Sequence, residues 1–393
     1  MAANEVRSET RRKASRYIVP VAVAGVAAAT IGLVPALAAS GDPDLPEITA
    51  QQLIEKIAAS DTQTLSGTFR VSTDLGLPSL GGLAGIGGGA GSGSADPAEK
   101  LTELVSGTHT LRVAADGPER QRLTLLDGSD EYSLIHNGDD VWGYDSKSNE
   151  VFHEKDASGA PEADEHLPGT PKELADEVLK AAGDTTSITV GGTAKVAGRD
   201  AYQLVIKPKQ AGSTVESVKI AVDAANGTPL KFTLSSVEGG KPVVDAGFTK
   251  VDFGKPAASE FTFKAPKGAK VTEGAAEEGA DAADSGDGLP EGLEGLKDGF
   301  PGLGGATGGP NVIGEGWTTI AKFDTGAPAP TTDEAPKEIQ GFLDSLGDKV
   351  TGKFGSGTVF KTKLVNALLT DDGRVYVGAV TKDALVAAAD SGK

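Results

Sequence analysis

The chain has 393 residues, no cysteine and a formal net charge of −19. The missing cysteine excludes disulfides, thiol catalysis, iron–sulfur clusters and lipobox acylation, and the acidic balance argues against nucleic acid as a partner, because displacing phosphate counterions needs a basic footprint. The length suits two domains and a tail, and the 54 glycines, gathered into a few runs, mark linkers.

Residues 1–40 read as a targeting segment rather than fold. Arg7, Arg11, Arg12, Lys13 and Arg16 form a basic start, Tyr17 to Ala39 carries no charge, and Pro35 precedes the small-x-small pattern Ala36-Leu37-Ala38. Pro35 would break a helix just before that site, which favours a cleaved signal peptide over an uncleaved N-terminal membrane anchor, although the apolar run is almost long enough to span a bilayer. Either way the expected location is extracytoplasmic, secreted or anchored to the cell membrane.

Thr49 is a suitable N-cap for a helix to about Ser60 that presents Leu53, Ile54 and Ile57. Leu65 to Leu75 alternates as a strand. A Gly-rich insert near 79–94 then interrupts the expected hairpin. Strands follow at Thr108 to Ala115, Arg120 to Leu126, Glu131 to His136, Asp140 to Tyr144 and Glu150 to Glu154, with Asn137-Gly138 and Ser148-Asn149 at turn positions. Pro171 to Ala182 reads as a helix ended by Gly183. Ser187 to Val196 resumes the strands.

The clearest period-two stretch is Arg199 to Ser235. Tyr202, Leu204 and Ile206 alternate with polar neighbours, as do Val218, Ile220 and Val222, and then Leu230, Phe232 and Leu234. Asn226-Gly227 marks a tight turn. Val243 to Phe253 adds a further strand. Residues 272–311 are acidic and then Gly-rich, a linker in which Leu289, Leu293, Leu296, Phe300 and Leu303 recur at near-helical spacing. This stretch is either a simple tether or a plug that folds over the sheet. From 312 to 393 the pattern is a small α+β domain: a strand from Trp317 to Phe323, a helix from Ala335 to Leu346, a hairpin of Val359–Leu369 and Arg374–Val380 over Asp371-Asp372-Gly373, and a final helix capped by Thr381.

The order of Leu-Ser-Gly-Thr-Phe-Arg-Val (65–71), Asn-Gly-Asp-Asp-Val-Trp-Gly-Tyr-Asp (137–145), Val-Ala-Gly-Arg-Asp-Ala-Tyr-Gln-Leu-Val (196–205), Asp-Ala-Ala-Asn-Gly-Thr-Pro-Leu-Lys-Phe (223–232) and Phe-Thr-Phe-Lys-Ala-Pro-Lys-Gly-Ala-Lys-Val (261–271) resembles the outer-membrane lipoprotein carrier (LolA) superfamily. That superfamily includes the N-terminal half of RseB-type sigma-E regulators and the mycobacterial lipid-binding lipoproteins. The resemblance implies a mostly β fold over 41–271, a curved antiparallel unclosed half-barrel with a helical lid, enclosing an apolar cavity. It implies a carrier for a lipid or an acylated lipoprotein, or alternatively a regulator that holds a membrane anti-sigma partner. The domain after 311 is absent from the simple carriers, and the two-domain layout is similar to that of the regulators.

No catalytic set stands out. His153-Glu154 and Glu165-His166 fit no metal-binding spacing, and no nucleophile elbow, Walker loop or dinucleotide fingerprint occurs at a strand–helix junction. The expectation is a binding protein without cofactor, metal or enzymatic activity. By alternation its lipid-binding wall comprises Phe69, Val71, Leu111, Val113, Leu123, Leu125, Trp142, Tyr144, Tyr202, Leu204, Ile206, Val218, Ile220, Leu230, Phe232, Leu234 and Phe248. Alternation alone is equally the mark of a packed core; the resemblance implies a hollow one.

Overall fold

The computed structural model describes residues 42–76, 107–155, 183–274, 311–324 and 347–392, with single positions between 95 and 106 and between 176 and 182. The targeting segment, the Gly-rich insert, Glu165-His166, the linker stretch Leu289 to Leu303 and the expected helix at 335–346 lie outside the described residues.

Helix α1 (Ala50–Ala58) starts as its sequence demands. Thr49 Oγ1 accepts the Gln52 N–H, and the Gln52 side chain accepts the Thr49 N–H in return, so two otherwise orphaned donors are satisfied. Leu53 and Ile54 point into the protein and are buried.

Twelve strands build one sheet: β1 (Thr64–Thr73), β2 (Gly107–Asp116), β3 (Arg120–Asp127), β4 (Asp130–Asn137), β5 (Asp140–Asp145), β6 (Glu150–Lys155), β7 (Thr186–Val196), β8 (Arg199–Pro208), β9 (Val215–Asp223), β10 (Pro229–Ser236), β11 (Val244–Asp252) and β12 (Lys270–Glu273). Their spatial order is β12-β6-β5-β4-β3-β2-β1-β11-β10-β9-β8-β7, so the sheet is unclosed, with β12 and β7 at its edges. Every pair is antiparallel except β12 beside β6. Tight turns make this meander possible. At the β9–β10 turn Gly227 has φ +77°, and a Cβ there would collide with the Lys56 carbonyl oxygen at the end of α1. Four irregularities bend the sheet: an extra residue in β11 at Thr249, one in β10 at Leu230, one in β9 at Glu216, and a shift in β7 at Gly191-Gly192.

A second, six-stranded sheet follows: β13 (Asn311–Ile313), β14 (Ile320–Asp324), β15 (Gly347–Gly352), β16 (Gly355–Phe360), β17 (Asn366–Thr370) and β18 (Arg374–Gly378), in the order β13-β14-β18-β17-β16-β15. Helix α2 (Lys382–Ser391) buries Leu385, Ala388 and Ala389 against it. The chain is thus mostly β, a large unclosed sheet plus a small α+β unit. Two expectations need correction here. The single strand expected at Val359–Leu369 is two strands, because Thr362 Oγ1 accepts the N–H groups of Leu364 and Val365 and Asn366 Oδ1 accepts that of Thr362, closing a turn that its apolar residues conceal. Trp317 lies in a 3-10 turn (Gly316–Thr318) rather than a strand. Thr381 holds the N-cap position of α2 but makes no side-chain cap bond.

The two units are joined by a built contact. The β8–β9 loop bridges Ser213 to Val380; Thr214 N donates to the Ala379 carbonyl at 3.0 Å and Thr381 N to that of Gly212 at 2.8 Å. Trp317 donates its indole N–H to Thr186 Oγ1 at 2.7 Å and its backbone N–H to Gln210 Oε1 at 2.9 Å. At the other side Lys363 N donates to the Leu75 carbonyl, and Lys363 Nζ meets Asp74 Oδ2 at 2.6 Å.

Candidate ligand-binding site

Cross-strand partners share a face, so registers trace one surface across the sheet. Val71 opposes Ala246, Ala246 opposes Phe232, Phe232 opposes Ile220, and Ile220 opposes Leu204. In the other direction Phe69 opposes Leu111, then Leu125, then Tyr132, while Val113 opposes Leu123 and then Leu134. A single apolar face therefore extends from β4 to β8.

Its parts differ in how they are filled. Phe69, Val71, Leu111, Val113, Leu123, Leu125, Leu230 and Phe248 are buried in one cluster with Leu65 and Leu134, Phe69 meeting Phe248 edge to face at 5.2 Å. Tyr202 and Leu204 lie beneath α1 with Leu53, Ile54 and Val222, and the Tyr202 hydroxyl donates to the Pro46 carbonyl at 3.0 Å. Ile206, Val218, Ile220, Phe232 and Leu234 are only half-buried. All of the expected wall residues but two thus gather in or along this face. Trp142 and Tyr144 do not. Gly143 opposes Leu134, so Trp142 and Tyr144 point to the opposite face, where Trp142 stacks on His153 at 3.6 Å and the rings of Trp142 and Tyr144 approach Phe263. Alternation within β5 was legible, but which half of it faces the wall depends on pairing.

One row of the face is polar, which sequence reasoning missed. Ala115 opposes Gln121, Gln121 opposes His136, His136 opposes Val141 and Val141 opposes Glu154. His136 and Gln121 are both 5% exposed, and among the described residues neither the two imidazole nitrogens nor Gln121 Oε1 finds a hydrogen-bond partner. Burial pushes the Glu154 carboxyl above its ordinary range. No spacing rule flags such a row, because its members come from several strands.

His153 is bound on both ring nitrogens by carboxylates, Nδ1 to Glu273 and Nε2 to Asp140, each at 2.8 Å. That contact secures the parallel edge strand β12. Among the described residues no group of three or more His, Asp or Glu side chains is arranged to hold a metal ion, and no helix is long and apolar enough to cross a membrane.

Comparison with known proteins agrees with this architecture. The family model of the MucB/RseB N-terminal domain matches residues 101–266. No curated protein matches the chain. Among solved structures, the MucA/MucB complex of Pseudomonas aeruginosa is 16% identical, covering 86% of this chain and 96% of that one at a TM-score of 0.37. An uncharacterized conserved protein from Thermus thermophilus is 13% identical, covering 57% and 98% at 0.30. A LolA superfamily protein from Nitrosomonas europaea is 12% identical, covering 55% and 99% at 0.20. Those TM-scores are too low for whole chains to superimpose, and the domain match is what carries weight. Residues 101–266, which hold most of the large unclosed antiparallel sheet, are thus similar to the MucB/RseB N-terminal domain.

Proposed function

We propose that the chain is an exported binder of acyl chains, those of a lipid or of an acylated lipoprotein, acting in the cell envelope without a cofactor. The observation that supports this most is the half-buried row of Ile206, Val218, Ile220, Phe232 and Leu234, of which Ile206 and Ile220 pack against the cluster beneath α1 while Val218, Phe232 and Leu234 continue the same face outside that cluster. Large aliphatic and aromatic side chains left partly open beside a packed core form a surface that an acyl chain can complete. At about 0.8 kcal/mol per methylene, a sixteen-carbon chain grosses about 12 kcal/mol before ordering costs, enough to extract a lipid with no charged group taking part. Native mass spectrometry and displacement of a fluorescent fatty acid test the reading: the purified chain carries or binds the amphiphile, and Phe232→Asp weakens the probe at least about tenfold without unfolding a half-exposed site. A chain that never binds an amphiphile overturns it.

A second reading is a regulator that holds a membrane protein through both units. It is supported by the joint of the two sheets, where a backbone bridge and the Trp317 bonds form one composite surface. MucB is found with MucA in its complex, and the same class of partner is the proposal here. Cross-linking in cells captures a membrane protein if this is right; recovery of lipids alone argues against it.

A further inference from the structure

A cavity of about 540 Å³ lies on the reverse of the β8–β10 wall. Gln203 opposes Ala221, Ala221 opposes Lys231, and Lys219 opposes Thr233, so these side chains share the face opposite Leu204, Ile220 and Phe232. The shift at Gly191-Gly192 bends β7, which touches β11 although three strands separate the two in the sheet. The end of the β7–β8 hairpin, Ala194 to Gly198, thereby forms one side of the cavity, and Phe248, beside the irregularity in β11, lines it as well. Val196, Ala221 and Phe248, all buried, supply an apolar floor.

The rim is cationic. Lys195 is paired with Asp200 at 2.7 Å and Lys231 with Asp245 at 3.3 Å. Asp245 also accepts from Thr233 Oγ1 at 3.2 Å; burial pushes its carboxyl up, with Lys231 opposing that. Lys219 has no carboxylate partner among the described residues and is exposed at the mouth. The cavity therefore carries one ammonium in excess above an apolar floor, in a chain whose net charge is −19. Residues 183–274, which carry the cavity, hold twelve Lys and Arg against nine Asp and Glu, so an anion is attracted here although the whole chain is acidic. The size suits a small molecule.

We infer that this cavity binds a small amphipathic anion, its phosphate or carboxylate at Lys219 and Lys231 and its short apolar body on Val196, Ala221 and Phe248. The site lies across β8–β10 from the half-buried acyl-binding row and does not rest on that reading. Amide NMR titration of the purified chain with hexyl phosphate, hexanol and inorganic phosphate tests it. Hexyl phosphate gives saturating shifts at Lys219, Ala221 and Lys231 and binds more tightly than either other probe. Lys219→Glu weakens it about tenfold, Lys219→Arg retains it, and Phe232→Asp on the other face leaves it unchanged. Shifts that do not saturate, hexanol or inorganic phosphate binding as well as hexyl phosphate, or Lys219→Glu without effect overturns the proposal.

Discussion

His136 carries a cost that its neighbours do not relieve. Its ring is 5% exposed between Gln121 and Val141, with neither nitrogen bonded among the described residues. An imidazole buried without partners costs about 1–3 kcal/mol relative to a satisfied or apolar side chain. His136→Leu is therefore expected to stabilise the chain by about 1 kcal/mol, read as a higher urea midpoint at unchanged slope. A lower midpoint would mean that the imidazole is satisfied after all. Single residues are also where sequence reading reaches its limit. Phe69, Leu111 and Leu204 could be placed by alternation because their strands keep one parity throughout. Trp142 and Tyr144 could not, since pairing puts Val141 and Gly143 on the wall side although Trp142 and Tyr144 make the other face of β5 the more apolar one.

At the scale of elements, strands and caps were the legible part, because each depends on neighbours a few residues away. Thr49 and Gln52 announce the start of α1, and the structure closes the box between them. The bulges at Thr249 and Leu230 were not legible: an extra residue becomes visible only against its partner strand. Strand β15 escaped for another reason, since Gly347–Gly352 contains a single large apolar residue, Val350, and so has no period to read. The cap gives a direct test of what α1 does. Thr49→Ala removes the bond from the Gln52 N–H to Thr49 Oγ1, leaves the backbone bond from Thr49 to Gln52 Oε1, and should cost about 1 kcal/mol. Because α1 covers Tyr202 and Leu204, its amides should exchange faster with solvent and a hydrophobic dye should bind more strongly. Faster exchange confined to the first turn, with no added dye binding, would mean that packing by Leu53 and Ile54 holds the helix unaided.

For the whole molecule the question is what holds the small sheet against the large one. The joint combines backbone bonds, Thr214 to Ala379 and Thr381 to Gly212, with the Trp317 and Gln210 bonds, and these are insensitive to pH. The Asp74–Lys363 pair is not. The hydrogen bond from Lys363 holds the Asp74 carboxyl below its ordinary value of 3.8, with the Gly76 N–H adding to that, against a smaller effect of burial. A carboxyl depressed in the folded state contributes stability that is present above the unfolded value and lost as pH falls through the folded one. The pair should therefore be intact at neutral pH and be lost only as pH falls from 3.8, the value for a free Asp side chain, through the lower value of the folded state. Because both side chains are partly exposed, its loss alone loosens the contact rather than separating the units. Hydrogen exchange at Lys363, whose amide donates to the Leu75 carbonyl beside the pair, reads this directly: protection falls on acidification while that of Thr214 holds. Asp74→Asn should give the acid behaviour at pH 7 and remove further pH dependence at Lys363. Equal loss at Lys363 and Thr214 in the wild type would show instead that the joint opens as a single unit.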